Sequence, residues 1–139
     1  MYEFTTRRRV EFADTDMEGI VHFSRYMVYM ETAEHEFLAA LGTRVATEID
    51  GRRIGWPRVS VTCEYERPAR FGDVLDIRVR VLRKGSRSMT YGFVFARDGE
   101  RVATGRVVAV CCELRPGEPM RAIPIPSIVA DQVEEAPPE

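Results

Sequence analysis

Apolar residues at even positions, Phe4, Val10 and Phe12, against Arg7, Arg9 and Glu11 at odd ones, predict a strand over Phe4–Phe12. Ala13-Asp14-Thr15-Asp16 reads as the polar turn that ends it. Beyond Gly19, Tyr26, Met30, Ala33, Phe37 and Leu41 recur three or four apart, the stripe of one long helix through Phe23–Leu41. Gly42 is a natural stop. Ser24 has the side chain of a good N-cap, with Phe23 and His22 as alternatives for the last non-helical residue. The remainder alternates with period two and predicts four further antiparallel strands. The first runs from Arg58 to Glu66. After a break at Pro68–Asp73 comes the clearest, in which Leu75, Ile77, Val79 and Val81 face one way while Asp76, Arg78 and Arg80 face the other. A third, Arg87–Arg97, joins a fourth, about Arg101 to Leu114, through the hairpin signal Asp98-Gly99. Arg115-Pro116-Gly117 closes the last strand, and Pro124 and Pro126 lead into a tail rich in Glu and Pro. We expect one domain over residues 1–128 and a disordered acidic tail over 129–139.

One apolar-striped helix beside five strands with one apolar face has an economical solution: an α+β fold whose antiparallel sheet curls around the helix. Such a sheet keeps open edges, and pairing two copies edge to edge would cover them, so a homodimer or homotetramer is expected.

Composition narrows the function classes. At 139 residues the chain buries about two-thirds of its extended surface, enough for one real core. Its 20 basic and 22 acidic residues, net charge -2, are mixed along the chain, and Arg7-Arg8-Arg9 would splay to opposite faces of a strand, so no nucleic-acid partner is expected. Cysteines number three, two of them adjacent, which suits neither a disulfide framework nor a metal site and fits a reducing compartment. The N-terminus has no signal-peptide run and no stretch of 18 apolar residues occurs, so a cytoplasmic protein with no membrane partner is expected.

Candidates for nucleophilic catalysis are few. There is no Gly-x-Ser-x-Gly, no phosphate-binding glycine loop and no dinucleotide fingerprint, and the two histidines, His22 and His35, stand too far apart for a zinc site. What remains is Asp14-Thr15-Asp16-Met17-Glu18-Gly19-Ile20-Val21-His22-Phe23-Ser24-Arg25-Tyr26, an acidic turn feeding into the helix. The first N–H groups of a helix are donors without partners and carry partial positive charge, which suits an oxyanion. A carboxylate just upstream of such donors is a geometry for acyl transfer. On local pattern alone, the favoured reading is Asp14 and Asp16 as mere turn-formers and Gly19 as a positive-φ residue.

The segment Asp14-Thr15-Asp16-x-x-Gly19-Ile20-Val21-x-Phe23-x-x-Tyr26 closely resembles the signature of the 4-hydroxybenzoyl-CoA thioesterase-like branch of the hot-dog superfamily. Tyr65-Glu66-Arg67-Pro68-Ala69-Arg70-Phe71-Gly72-Asp73 looks like that branch's strand-ending element, and the Pro116-Gly117 turn before Ile123-Pro124 also looks familiar, so the likeness covers roughly residues 5 to 126. The resemblance implies a hot-dog fold, a five-stranded antiparallel sheet wrapped around one long helix, acting as an acyl-CoA thioesterase without metal or redox cofactor. It implies Asp16 as the catalytic aspartate and Phe23 as the residue whose N–H polarises the thioester carbonyl. Gly19, Val21, His22 and Tyr26 are implied around the substrate. His22 departs from the aromatic residue common at its position, so hydrogen bonding near the thioester and capping of the helix both stand, with the cap favoured. Trp56 fits an acyl-pocket wall and a core or interface position equally. Another hot-dog lineage uses a helix carboxylate, which makes Glu31 a minor candidate, though its helical phase favours solvent or an interface; Glu34 flanks the stripe and suits a dimer seam. Arg58, Arg67, Arg70 and Arg87 are possible partners for CoA phosphates. A hot-dog dehydratase using His22 as base and a non-catalytic acyl-CoA-binding protein are the rival readings.

Overall fold

The computed structural model describes residues 1–139 and begins with strand β1 (Glu3–Arg9) and a 3-10 turn (Phe12–Asp14). Helix α1 (Arg25–Ala40) follows, then β2 (Thr47–Ile49), β3 (Arg52–Gly55), β4 (Arg58–Tyr65), β5 (Val74–Lys84), β6 (Ser88–Arg97), β7 (Glu100–Val110), β8 (Cys112–Glu113), β9 (Arg121–Ala122) and a last short helix, α2 (Ser127–Ala130). The main sheet is five-stranded and antiparallel in the order β1-β5-β6-β7-β4. No helix is long and apolar enough to cross a membrane.

The alternation read from the sequence decides which sheet face meets the helix. Leu75, Ile77, Val79 and Val81 of β5 and Met89, Tyr91, Phe93 and Phe95 of β6 are buried, and the α1 stripe Tyr26, Met30, Ala33, Phe37 and Leu41 is buried in the same core. Phe37 lies against Phe4 and Tyr91, with ring centroids 6.1 and 5.8 Å away. Gly105 of β7 lies directly under the helix, where a Cβ would collide with Met30 Sδ. The helix ends as Gly42 requires: φ is 86°, its N–H donates to Ala39 C=O, and Thr43 N–H donates to Leu38 C=O. Asp98 and Gly99 both take positive φ in the β6–β7 hairpin.

Three expectations need correction. The first strand stops at Arg9, and Phe12 is exposed, because Glu11 N–H donates to the Asp14 carboxylate at 2.9 Å and winds residues 12–14 into a 3-10 turn. The last long strand breaks at Cys111, whose N–H goes to Arg87 C=O; β8 instead joins a small second sheet in the order β2-β3-β8-β9. Trp56, for which a pocket wall and a core or interface position were equally open, lies between β3 and β4 and is buried in the core. The tail past Val129 runs against the body of the protein rather than free of it. Val129 and Val133 are buried, Ala136 N–H donates to Val81 C=O, and Glu139 pairs with Arg78 and Arg80. Composition overlooked these two valine anchors and the basic residues waiting for the acidic tail.

Candidate active site

Between the 3-10 turn and α1 the chain makes a narrow loop. Thr15 and Val21 form an isolated antiparallel bridge, Asp16 N–H donates to Ile20 C=O at 2.9 Å, and Gly19 N–H donates to Asp16 C=O at 3.0 Å. Gly19 has φ 78°, a conformation that L side chains rarely adopt. One Asp16 carboxylate oxygen, Oδ1, accepts from Glu18 N–H at 2.9 Å. The loop is anchored by Asp14, which is buried and bonded to Arg25 and Tyr29 of α1. Burial opposes the charge on Asp14, yet Glu11 N–H, Tyr29 and Arg25 together hold its carboxyl below the usual range.

The second motif closes on this loop from the end of β4. Ile20 bridges to Arg70, and Val21 N–H donates to Ala69 C=O at 2.8 Å. Asp73 fastens the segment: its carboxylate accepts from Arg70 N–H at 2.8 Å and Arg97 at 2.9 Å, and its C=O accepts from Val10 N–H. Between the two motifs lies a cavity of about 460 Å³ lined by Asp16, Ile20, Val21, Phe23, Tyr26, Tyr65, Glu66, Arg67 and Pro68. Tyr65 OH donates to Phe23 C=O at 2.9 Å, and the Tyr65 and Tyr26 rings meet edge to face at 5.3 Å. Burial pushes both phenols up to about 12, so they are neutral donors at ordinary pH. The Glu66 carboxylate is taken by Arg101, with two contacts of 2.6 Å. Phe23 N–H donates to no other group of the chain. A carboxylate, an unengaged N–H at a helix entrance and apolar walls are the parts that acyl transfer to water needs.

Of the residues expected here, Asp16, Val21, Phe23 and Tyr26 line the cavity, and Gly19 shapes the loop without lining it. His22 is turned to the helix entrance: Ser24 N–H donates to its Nδ1, Ser24 Oγ lies 2.8 Å from the same nitrogen, and the ring stacks on Phe23. Ser24 is the N-cap residue, but its hydroxyl meets His22 rather than the helix. Glu31 is exposed, and Glu34 is buried against Arg58 in a separate cavity. Sequence reading missed the anchoring by Asp14, for which no local signal exists, and the lining by Tyr65, which its place in the second motif offered. Among the four arginines considered for CoA, Arg67 alone lines this cavity. A further hollow of about 360 Å³ at Glu113, Arg115, Glu118, Pro119, Met120 and Arg121 shares no residue with either motif and has one apolar wall.

Residues 10–133 match the family model described as the thioesterase-like superfamily. A gentisyl-coenzyme A thioesterase of known structure is 32% identical, with a TM-score of 0.81 over 91% of this chain and 99% of that one. A 1,4-dihydroxy-2-naphthoyl-CoA hydrolase of Synechococcus elongatus is 24% identical over 96% of this chain and 97% of its own. A 4-hydroxybenzoyl-CoA thioesterase solved with 4-hydroxybenzoyl-CoA is 20% identical, covers 96% of this chain and all (100%) of its own, and superposes with a TM-score of 0.81, a likeness of fold.

Proposed function

The chain belongs to the thioesterase-like superfamily, with the hot-dog fold, and on that premise we propose that it hydrolyses acyl-CoA thioesters in the cavity beside Asp16. The observation that carries the reading is the meeting of Asp16 and Phe23 in one apolar cavity, the first bearing a carboxylate, the second an unengaged N–H. The Phe23 N–H polarises the thioester carbonyl and gathers charge as the tetrahedral intermediate forms. Asp16 serves in one of two balanced routes. As general base it takes a proton from water, the hydroxide adds to the carbonyl carbon, and the C–S bond breaks as the thiolate recovers a proton. As nucleophile it displaces the thiolate to give an acyl-Asp16 anhydride, which water then splits. Either way, acyl-CoA and water give a carboxylic acid and CoA. Single turnover in ¹⁸O-water tests for the anhydride, since label enters the Asp16 carboxylate only when water splits an acyl-Asp16 anhydride at the Asp16 carbon.

The overall test is thiol release from acetyl-, hexanoyl-, palmitoyl- and benzoyl-CoA. Turnover of at least one supports the reading; ligand-induced thermal stabilisation without thiol release from any of them refutes it in favour of an acyl-CoA-binding protein. The aromatic walls Phe23, Tyr26 and Tyr65, with the hydroxyaryl-CoA substrates named for the relatives above, favour benzoyl-CoA. A dehydratase would want a free histidine beside the substrate, whereas His22 Nδ1 is engaged by Ser24.

Arg67 at the cavity wall is the residue we assign to the CoA phosphates. Arg67→Ala is expected to raise KM about tenfold with kcat nearly unchanged, as loss of one charge-assisted contact would. An unchanged KM removes that assignment.

The working protein is assigned as at least a dimer. Strand β4 is a sheet edge of 8 residues, and Val59 and Val61 on it are 64% and 41% exposed. A strand edge of that length and character needs a cover, and a second copy supplies one. Light scattering should return at least twice the chain mass of 15.9 kDa. Val61→Lys should shift that mass toward the monomer.

A further inference from the structure

We infer that Asp14 is a positioning residue for acyl transfer: buried behind the cavity, it sets the spacing between the Asp16 loop and the entrance of α1. The inference rests on the thioesterase reading of the Asp16 cavity.

Asp14 holds both ends of the loop at once. Its Oδ1 accepts from Arg25 Nε at 2.8 Å and pairs with an Arg25 terminal nitrogen 2.8 Å away, and its Oδ2 accepts from Tyr29 OH at 2.7 Å and Glu11 N–H at 2.9 Å. Its own C=O accepts from His22 N–H at 2.8 Å. Tyr29 is in turn fixed from β1, with the Arg8 guanidinium 5.5 Å from its ring centroid. The two residues assigned to chemistry hang directly from this node. Asp16 follows Asp14 by two residues, and Phe23 follows His22 by one. Between them, the Thr15–Val21 bridge and the bond from Asp16 N–H to Ile20 C=O leave the loop little freedom of its own.

An aspartate that only forms a turn needs no more than local backbone N–H groups. Asp14 has one of these, from Glu11, and directs the rest of its carboxylate to two side chains of the helix that begins two residues after the oxyanion donor Phe23. Acyl transfer requires a carboxylate and an N–H to approach one carbonyl from fixed directions, and a misplacement of about 1 Å costs about 100-fold in rate. The contacts of Asp14 are what set that distance.

The test uses the full chain and the panel member hydrolysed fastest, with Asp14→Asn and Tyr29→Phe as variants and folded content followed by circular dichroism. Asp14→Asn is expected to lower kcat about 10- to 100-fold, Tyr29→Phe by less, with KM within about threefold in both, since the substrate walls are untouched. Added to Asp16→Asn, the Asp14 substitution is expected to lower kcat by less than it does alone, because one of the two groups it positions is already removed. Wild-type kcat per folded enzyme in both variants, or a full multiplicative loss in the double variant, overturns the role. Should Asp14→Asn not fold, Tyr29→Phe alone decides by the same split of kcat from KM. If the wild-type chain releases no thiol from any panel member, the thioesterase reading itself falls and takes this role with it. Wild-type turnover with unaffected variants overturns the role of Asp14 alone.

Discussion

Asp16→Asn should abolish practical thiol release, lowering kcat by about 10³-fold or more while KM moves little. Asparagine keeps the shape of the side chain and an oxygen that still accepts from Glu18 N–H, so the loop between the Thr15–Val21 bridge should stand as before. What is lost is the basic and nucleophilic oxygen. Without it, water must attack unaided, and the Phe23 N–H retains only its own share of the rate. The variant should therefore bind acyl-CoA with near wild-type affinity, measurable by calorimetry because turnover no longer consumes the ligand. Activity within tenfold of wild type would remove Asp16 from the chemistry and leave Glu66, the other carboxylate of the cavity, to be explained despite its engagement by Arg101.

The largest effect on stability is expected from Arg58→Met. Glu34 is wholly buried on α1; one of its oxygens meets Arg58 at 2.7 Å, the other has no partner, and exposed Glu31 lies 3.8 Å from the same guanidinium. Burial pushes the Glu34 carboxyl up to about 7, against the attraction of Arg58. Removing one member of such a pair typically costs about 3–5 kcal/mol, a large part of the roughly 5–15 kcal/mol that holds a domain folded. The loss should depend on pH. A carboxyl raised above its unfolded value of 4.5 keeps its proton in the folded chain while the unfolded chain releases it. Stability from this group is therefore highest below 4.5 and falls as pH rises toward about 7, by about 3 kcal/mol in all for the wild type. Without Arg58 the fall should extend to still higher pH, making the variant weakest at pH 8 and nearer wild type at pH 5. Adding Glu34→Gln should flatten that dependence. Urea denaturation at the two pH values checks it, and an equal loss at both would show that Glu34 does not titrate in this range. Asp14, lowered rather than raised, acts in the opposite sense and only as pH falls below 3.8.

The long helix and the five principal strands were legible because each obeys a local rule. Tyr26, Met30, Ala33, Phe37 and Leu41 announce their shared face by spacing, and Gly42 and Asp98-Gly99 announce their turns by the positive φ they adopt. The strands β2, β3 and β9 were not legible, since two to four residues carry no period and exist as strands only through their partners. Trp56 belongs to the same class: its aromatic bulk says that it will be covered but not by what, and the small sheet places it in the core.

The candidate site divides along the same line. The sequence by itself determined a carboxylate close ahead of a helix entrance and an order of elements that wraps a sheet around that helix, because periodicity and turn chemistry act over a few residues. Only the tertiary structure decided that Tyr65–Pro68 would wall the cavity beside Asp16, that Arg67 rather than Arg58 would reach it, and that Asp14 would be buried under Arg25 and Tyr29. Those meetings join residues 11 to about 50 positions apart through burial and hydrogen bonding, forces that depend on distance in space and leave no period along the chain.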